Sequence, residues 1–243
     1  MILAVETSTQ VCSIALRTRE GTISEKRIAG RGVHSAHAPR MIQELLQAEQ
    51  ARIDDLQAVL FSHGPGSYTG LRIGASLLKG LLFGKSIPLH TASTLLSIAS
   101  AVLWNNTEST EQPITEQPNS SIHSTTPRTV YGLIDARRSH LYCQVCELRS
   151  GSINPKTKPT VQSLEALSRT IQPGNWVAGT GISRLKLPKG VFRLDAEAIS
   201  AKYLLRLWDL PNRDSLFTLQ DIGLFEPEYV TMMQIEPAQQ KKA

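Results

Sequence analysis

The sequence predicts an α/β protein of two lobes, each with a mixed sheet flanked by helices, the second lobe being reduced. Strand-like and helical patterns alternate through residues 1–104, which is typical of an α/β layer structure. A polar segment at 105–128 separates this half from a second run of strands, which again begins with a hairpin. We therefore predict a first lobe at 1–104, an insertion or linker at 105–128, and a second lobe with the C-terminal segment at 129–243.

The chain begins with a predicted hairpin. Residues 2–5 and 12–16 are apolar, strand-like runs, and the turn between them carries Glu6, Thr7, Ser8 and Thr9. Such residues favour a turn by themselves. A third strand at 22–29 completes a meander.

A helix is predicted at 39–50. The apolar residues that share one of its faces are Ala38, Met41, Ile42, Leu45 and Leu46. His34 and His37 precede this helix. We interpret them as loop or capping histidines, because no third metal ligand lies nearby in sequence.

A strand, a glycine loop and a helix follow. Residues 56–61 are strand-like, 63–70 form the loop, and the helix continues to Gly84. Ser67 and Thr69 can cap this helix, and such a loop can also form an anion-binding concavity. The helix is apolar nearly all round, with glycines four residues apart. It is therefore either wedged between a sheet and a second layer or part of a subunit interface.

The first half ends with a short strand at 87–90 and a helix from Thr91 to about Trp104. Residues 105–128 contain few large apolar side chains, and Thr-Glu-Gln-Pro occurs twice among them. Such a segment buries too little apolar surface to offset chain ordering. We predict a disordered insertion or linker.

The second half opens with a strand at 130–134 and a charged turn that carries Asp135, Arg137 and Arg138. This turn either grips an anion or a partner carboxylate or is simply solvated. The next strand holds Cys143 and Cys146, which should point to opposite faces because they are three apart. Helices at 163–171 and 196–210, strands at 176–178 and 191–194, and a turn at 226–230 complete the predicted elements.

Charge and composition restrict the function classes. The chain has 26 Lys and Arg against 21 Asp and Glu, a net charge of +5, which permits a nucleic-acid partner without requiring one. The basic residues are scattered in sequence, so tight independent RNA binding is not expected. Three cysteines argue against a disulfide scaffold. No secretory signal or membrane span is recognised, and we expect a cytoplasmic protein.

One motif and seven shorter segments form a recognisable pattern. The motif is 64–74, Gly-Pro-Gly-Ser-Tyr-Thr-Gly-Leu-Arg-Ile-Gly, and it is the most specific part. The supporting segments, in order, are 2–9, 34–35, 79–81, 92–95, 135–138, 179–181 and 226–229. In these residues the chain resembles the TsaB (YeaZ) family of the Gcp/actin-like ATPase superfamily. The resemblance implies a two-lobed actin-like fold of the ASKHA, ribonuclease H-like type.

The resemblance also implies a role. Members of this family are non-catalytic partners required for synthesis of threonylcarbamoyladenosine in tRNA, and they bind the transferase TsaD together with TsaE. It implies no cofactor of its own, ATP or ADP only at the complex interface, tRNA contact only as part of the complex, and a homodimer through the helical face used for TsaD. The implied partner-interface residues are Met41, Leu45, Thr69, Arg72, Ile73, Gly74, Leu77, Gly80 and Leu81. The candidate nucleotide-contact residues are Glu6, Thr7, Ser8, Thr9, Asp135 and Arg137.

Some positions depart from the family pattern. Glu6 stands where aspartate is commoner, and Tyr68 replaces a more usual phenylalanine. Leu78 and Leu82 occupy positions that are often alanine. An alternative function is an active ATPase or phosphotransferase of the same fold. That would need an aspartate-glycine loop opposite Glu6, but alanine follows Asp135. A third alternative is a peptidase, an older label for the superfamily. The sequence shows neither the nucleophile nor the metal-ligand arrangement that such an enzyme would need.

Overall fold

A computed structural model of the chain describes residues 1–104 and 126–230. The predicted insertion at 105–128 lies outside the described residues apart from its last three positions. Residues 231–243 lie outside them as well. Within the described ranges, none of the helices has the length and apolar composition needed to cross a membrane.

The first half of the chain contains, in order, β1 (Ile2–Glu6), β2 (Val11–Arg17), β3 (Ile23–Ala29), α1 (Val33–Ala48), β4 (Ala58–Ser62), α2 (Tyr68–Leu82), β5 (Leu89–Ala92) and α3 (Thr94–Ser100). The second half contains β6 (Arg128–Asp135), β7 (His140–Arg149), β8 (Ser152–Pro155), β9 (Thr160–Ser163), α4 (Leu164–Thr170), β10 (Trp176–Gly179), β11 (Phe192–Leu194), α5 (Lys202–Trp208) and β12 (Thr218–Gln220). Short 3-10 turns lie at Ile53–Asp55, Ala101–Leu103, Ile182–Arg184, Ala196–Ala198 and Arg213–Ser215.

The central strands of the first sheet are buried on both faces. β1 and β4 are buried along their whole length, and their side chains alternate between two apolar clusters. Leu3 and Val5 face α1 and α2, whereas Ile2 and Ala4 face α3 and α5. The sheet therefore lies between two helical layers, as the α/β pattern predicted.

The two sheets repeat one topology. The first has the order β12-β5-β4-β1-β2-β3, and the second has the order β11-β10-β6-β7-β8 with β9 also paired to β7. In each, the first strand pairs antiparallel with the second and parallel with a later strand, which is β4 in the first sheet and β10 in the second. The predicted two-lobed fold with mixed sheets is confirmed. Cys143 and Cys146 of β7 face opposite apolar clusters, as their spacing predicted.

The lobes meet around α3. A Cβ at Gly132 of β6 would lie 2.2 Å from the carbonyl oxygen of Leu95, closer than a side chain can approach. The backbone of the second sheet therefore touches α3 directly. Apolar residues of both sheets, α3 and α5 form one continuous cluster, so the two lobes share a core.

Three elements differ from the sequence expectation. α1 begins at Val33 and has Pro39 inside it, so His34 and His37 lie in the helix and not in a loop before it. β4 begins at Ala58 and ends at Ser62, slightly later than predicted. β12 pairs with β5, so the stretch 129–243 is not confined to the second lobe: its end returns to the first sheet.

Candidate functional site

The turn between β1 and β2 is buried. Glu6, Thr7 and Ser8 are at most 1% exposed, and Thr9 is 8% exposed. The backbone N–H and the hydroxyl of Ser8 donate to Glu6 Oε1 at 2.6 and 2.5 Å. Thr9 Oγ1 accepts from the backbone N–H of Val11 at 3.0 Å. The polar groups of this turn thus bond mainly within the turn itself.

The glycine segment before and within α2 covers this turn. Cβ atoms built at Gly66 and Gly70 would lie 2.2 Å from Ser8 O and 2.1 Å from Thr7 O. A Cβ at Gly74 would lie 2.3 Å from Thr7 Oγ1 and 2.8 Å from the Phe61 ring. The backbone N–H of Ser67 donates to Ser8 O at 2.6 Å. Glycine is needed here because the turn of the same chain approaches the α2 backbone closely.

The Gly70 and Gly74 spacing accommodates the β1–β2 turn of the same chain. Thr7 and Ser8 lie against α2, and all four turn residues, Glu6, Thr7, Ser8 and Thr9, are buried. Their contact with a nucleotide stays a prediction, and their burial does not support it. Burial raises the pKa of Glu6, although hydrogen bonds from Ser8 oppose that shift.

The other candidate nucleotide-contact residues lie on the β6–β7 turn. Asp135 and Arg137 are exposed. Asp135 forms an ion pair with Arg184, its Oδ1 accepts from the Arg137 N–H at 2.8 Å, and its own N–H donates to Thr180 Oγ1 at 3.0 Å. These partners all belong to the second lobe, so the structure does not join Asp135 or Arg137 to the covered β1–β2 turn.

An apolar groove runs between α1 and α2. It consists of two adjoining hollows of about 510 and 320 Å³ that share Pro39 and Leu77. Ile42 and Leu46 of α1 and Leu81 of α2 line the larger one, and Lys85 and Asp54 close one side with an ion pair of 2.5 Å. The lining of the smaller hollow includes His34, Arg72, Ile73 and Ser76.

The structure sorts the predicted interface residues into two groups. Arg72, Ile73, Leu77 and Leu81 line the groove, and Thr69 and Gly80 are exposed on α2. Met41 and Leu45 are 7% and 4% exposed and belong to the core under α1. Gly74 is buried against Thr7 and Phe61. These three residues do not line the groove, and their part in a partner contact stays a prediction.

Sequence reasoning missed part of the groove and a neighbouring contact. Pro39 and Ile53 line the larger hollow, but neither was among the predicted interface residues. The segment 226–229 packs on the glycine loop: the Glu228 N–H donates to His63 O at 2.8 Å, and Glu228 Oε2 lies 3.1 Å from His63 Nε2. The resemblance of residues 226–229 to the family pattern was the signal for this segment, although nothing in the sequence shows its partner.

Aromatic contacts extend this packing to α2. The Tyr229 ring lies 4.9 Å from the ring of Tyr68, and the Arg72 guanidinium lies 4.3 Å from the Tyr68 ring centre. The hydrogen bond to His63 lowers the pKa of Glu228. The start of α2 is thus held by the covered turn on one side and by the C-terminal segment on another.

Comparisons with known proteins agree with this architecture. The sequence matches the family described as TsaD: tRNA N6-adenosine threonylcarbamoyltransferase over residues 27–205, more than half of the chain. Among curated proteins, it is 33% identical over 105 residues to the tRNA threonylcarbamoyladenosine biosynthesis protein TsaB of Escherichia coli strain K12, covering 43% of this chain and 45% of that protein. It is 37% identical over 100 residues to the protein of the same name from Haemophilus influenzae, covering 41% of this chain and 42% of that protein.

The alignments therefore span less than half the length of either TsaB protein. Among solved structures, one from Pseudomonas aeruginosa, described as an uncharacterized protein with similarity to peptidase YEAZ, superposes with a TM-score of 0.74. It is 22% identical, and the match covers 95% of this chain and 99% of that one. That likeness shows a shared fold, and the sequence match shows more: the chain belongs to the TsaD family of tRNA N6-adenosine threonylcarbamoyltransferases.

Proposed function

We propose that this chain is a non-catalytic partner protein in the synthesis of threonylcarbamoyladenosine in tRNA, and that it binds and activates TsaD together with TsaE. The observation that carries this proposal is the pair of surfaces on α2. One side of the helix closes the β1–β2 turn, where an actin-like ATPase would hold phosphate. The other side forms the apolar groove with α1.

The closed turn argues against the alternative of an active ATPase or phosphotransferase. A phosphate at this turn would have to displace the backbone of Gly66 and Gly70, which lies against Thr7 and Ser8. Glu6 is fully buried, and its raised pKa reflects the cost of a charge there. We therefore place ATP or ADP at the interface with TsaD and not in this chain alone.

The groove supports the partner role because its floor is apolar and its rim is polar, which is the usual anatomy of an interface. Ile42, Leu46, Leu77 and Leu81 supply the apolar side chains, and Arg72 supplies a cation at one end. The same surface fits a second copy of the chain. A homodimer in the free state would then compete with TsaD.

The decisive experiment is reconstitution of tRNA modification with TsaC, TsaD and TsaE, with and without this chain. We expect modified adenosine only when the chain is present, and negligible ATP hydrolysis by the chain alone. Equal modification without the chain would contradict the proposal. Vigorous hydrolysis by the isolated chain would favour the ATPase alternative instead.

The docking surface is tested by Leu77→Glu, which places a charge where both hollows meet. We expect this variant to lose co-purification with TsaD and to retain its urea unfolding midpoint, because Leu77 is only half-buried. The matched control is Leu219→Glu on β12, where the leucine is 64% exposed and lies outside the groove. Retained binding by Leu77→Glu, or equal loss in both variants, would remove the groove from the proposal.

A further inference from the structure

The basic residues are concentrated in the part of the chain that runs from β6 to β11. Residues 126–195 contain eleven Lys and Arg against four Asp and Glu, an excess of seven, although the whole chain has an excess of only five. The rest of the chain is therefore slightly acidic. A cationic lobe of this kind produces a positive field that attracts polyanions.

All four acidic residues of 126–195 are already paired with bases of the same stretch. The ion pairs are Asp135–Arg184, Glu147–Lys156, Glu165–Arg169 and Asp195–Arg193. Among the described residues, no ion-pair partner is found for the other seven bases. They are Arg128, Arg137, Arg138, Arg149, Lys158, Lys186 and Lys189, and all except Arg128 are exposed.

Two of these bases occupy the edge where ligands usually bind α/β sheets. β6 and β10 are parallel, and Arg137 and Arg138 follow the carboxyl end of β6. Arg184 follows β10 and lies beside them through its ion pair with Asp135. Ligands of α/β proteins commonly bind outside the carboxyl ends of such strands.

The backbone of the β6–β7 turn gives a second indication. Arg137 and Arg138 have φ angles of 69° and 49°, a left-handed conformation that glycine or asparagine adopts more easily. The turn is held by hydrogen bonds from the Arg137 N–H to Asp135 Oδ1 and from the His140 N–H to Arg137 O. The turn itself does not need arginine, so the two side chains are better explained by a contact outside the fold.

We propose that this edge, which we call the arginine edge (Arg137, Arg138 and Arg184), binds the phosphodiester backbone of RNA. The inference rests on the proposed function only in naming tRNA as that RNA. Guanidinium groups match phosphate oxygens in a bidentate geometry. An acidic protein partner is less favoured, since protein interfaces need an apolar centre. The exposed large apolar residues of the described chain, Tyr68, Phe83, Leu219 and Leu224, all lie outside 126–195.

The test measures binding of the full chain to an unmodified tRNA transcript by fluorescence anisotropy over a series of salt concentrations. The variant is Arg137→Asn/Arg138→Asn, because asparagine tolerates positive φ. The control is Arg19→Asn/Arg31→Asn, which removes the same charge from two exposed arginines of the first lobe. We expect the variant to bind more weakly and its log–log salt slope to fall by about two, about one for each phosphate that is no longer neutralised. The control should retain the wild-type slope.

Three results would overturn the proposal: no measurable tRNA binding by the wild type, equal slopes in wild type and variant, or equally weakened binding in variant and control. Polyglutamate of similar charge is the second probe, and binding as tight as that of tRNA would assign the edge to an acidic protein instead. Direct binding is scored separately from modification. A wild-type chain that binds tRNA but is dispensable for modification would refute the proposed function and leave the arginine edge in place.

Discussion

The β1–β2 turn and the β6–β7 turn occupy equivalent places in two sheets of the same topology, but their surroundings are opposite. The first turn lies beneath α2 and is buried together with its carboxylate. The second is open, and its two arginines are exposed. In the first lobe the glycine segment covers the turn, whereas the second lobe has two exposed arginines at the matching place.

The same hairpin unit thus serves as a buried packing element in one lobe and leaves its turn exposed for binding in the other. What differs is the element that follows the sheet's inner strand. In the first lobe, Gly66, Gly70 and Gly74 let the start of α2 settle on the turn. In the second lobe, the equivalent segment after β10 is a 3-10 turn, Ile182–Arg184, which contributes Arg184 to the edge instead of a cover.

The largest effect should come from adding one methyl group under α2. A Cβ at Gly70 would lie 2.1 Å from the backbone oxygen of Thr7, which cannot move without moving β1. We expect Gly70→Ala to lower the free energy of unfolding by about 3 kcal/mol, the upper range for overpacking. Urea unfolding followed by circular dichroism measures it.

Gly80→Ala in the same helix is the matched control. Nothing lies within 4 Å of a Cβ at Gly80, so alanine should raise stability by about 0.5–1 kcal/mol through helix propensity. If both substitutions had the same effect, α2 would not be pressed against the covered turn, and the contrast between the two turns would lose its basis.

The parts that were predictable from sequence depend on local interactions. Ser67 was expected to cap α2, and its Oγ accepts from the Gly70 N–H at 3.2 Å. The hairpins and the helix that follows the glycine loop were also predicted, because their turn residues and apolar periodicity lie within a few residues of one another. The start of α1 was predicted six residues late: the helix begins at Val33 and continues through Pro39, although proline is more usual at the first position of a helix.

The candidate site could not be predicted as fully, because its contacts are non-local. Glycines at 70 and 74 signal a close approach, but nothing in the sequence says that Thr7 makes it. Met41, Ile42 and Leu45 all belong to the core under α1, and of these three only Ile42 also lines the groove. The basic excess of residues 126–195 is visible in the sequence, but the place of Arg184 beside Arg137 and Arg138 depends on its ion pair with Asp135, 49 residues away, and could not be predicted.

The second prediction concerns the buried carboxylate. Burial raises the pKa of Glu6, so the folded state holds a proton that the unfolded state releases once the pH rises above about 4.5. Stability from this group is therefore present at low pH and is lost as the pH rises through the raised pKa. Each unit of the shift corresponds to about 1.4 kcal/mol.

Glu6→Gln should remove this dependence, because glutamine cannot ionise and keeps an acceptor oxygen for Ser8. We expect the difference in unfolding free energy between variant and wild type to grow in favour of the variant as the pH increases from 4 to 8. A difference that stays constant with pH would mean that the Glu6 carboxylate is solvated, and the first turn would then be as open as the second.

The smallest expected change in stability concerns Arg138 on the open β6–β7 turn. If the open turn keeps its arginines for binding and not for stability, replacing one with the residue that suits its backbone should strengthen the fold. Arg138 has a φ of 49°, and a left-handed conformation costs a residue with a Cβ about 1–2 kcal/mol. Glycine removes this cost, but part of the stability gained is offset by the greater flexibility of glycine in the unfolded chain. We therefore expect Arg138→Gly to raise the free energy of unfolding by about 0.5 kcal/mol.

Arg31→Gly is the control, a glycine substitution at an exposed arginine whose φ is not positive. It should lower the free energy of unfolding instead. A stabilised Arg138→Gly variant that binds tRNA less tightly would separate binding from folding at one residue, whereas a destabilised one would make Arg138 part of the structure of the turn.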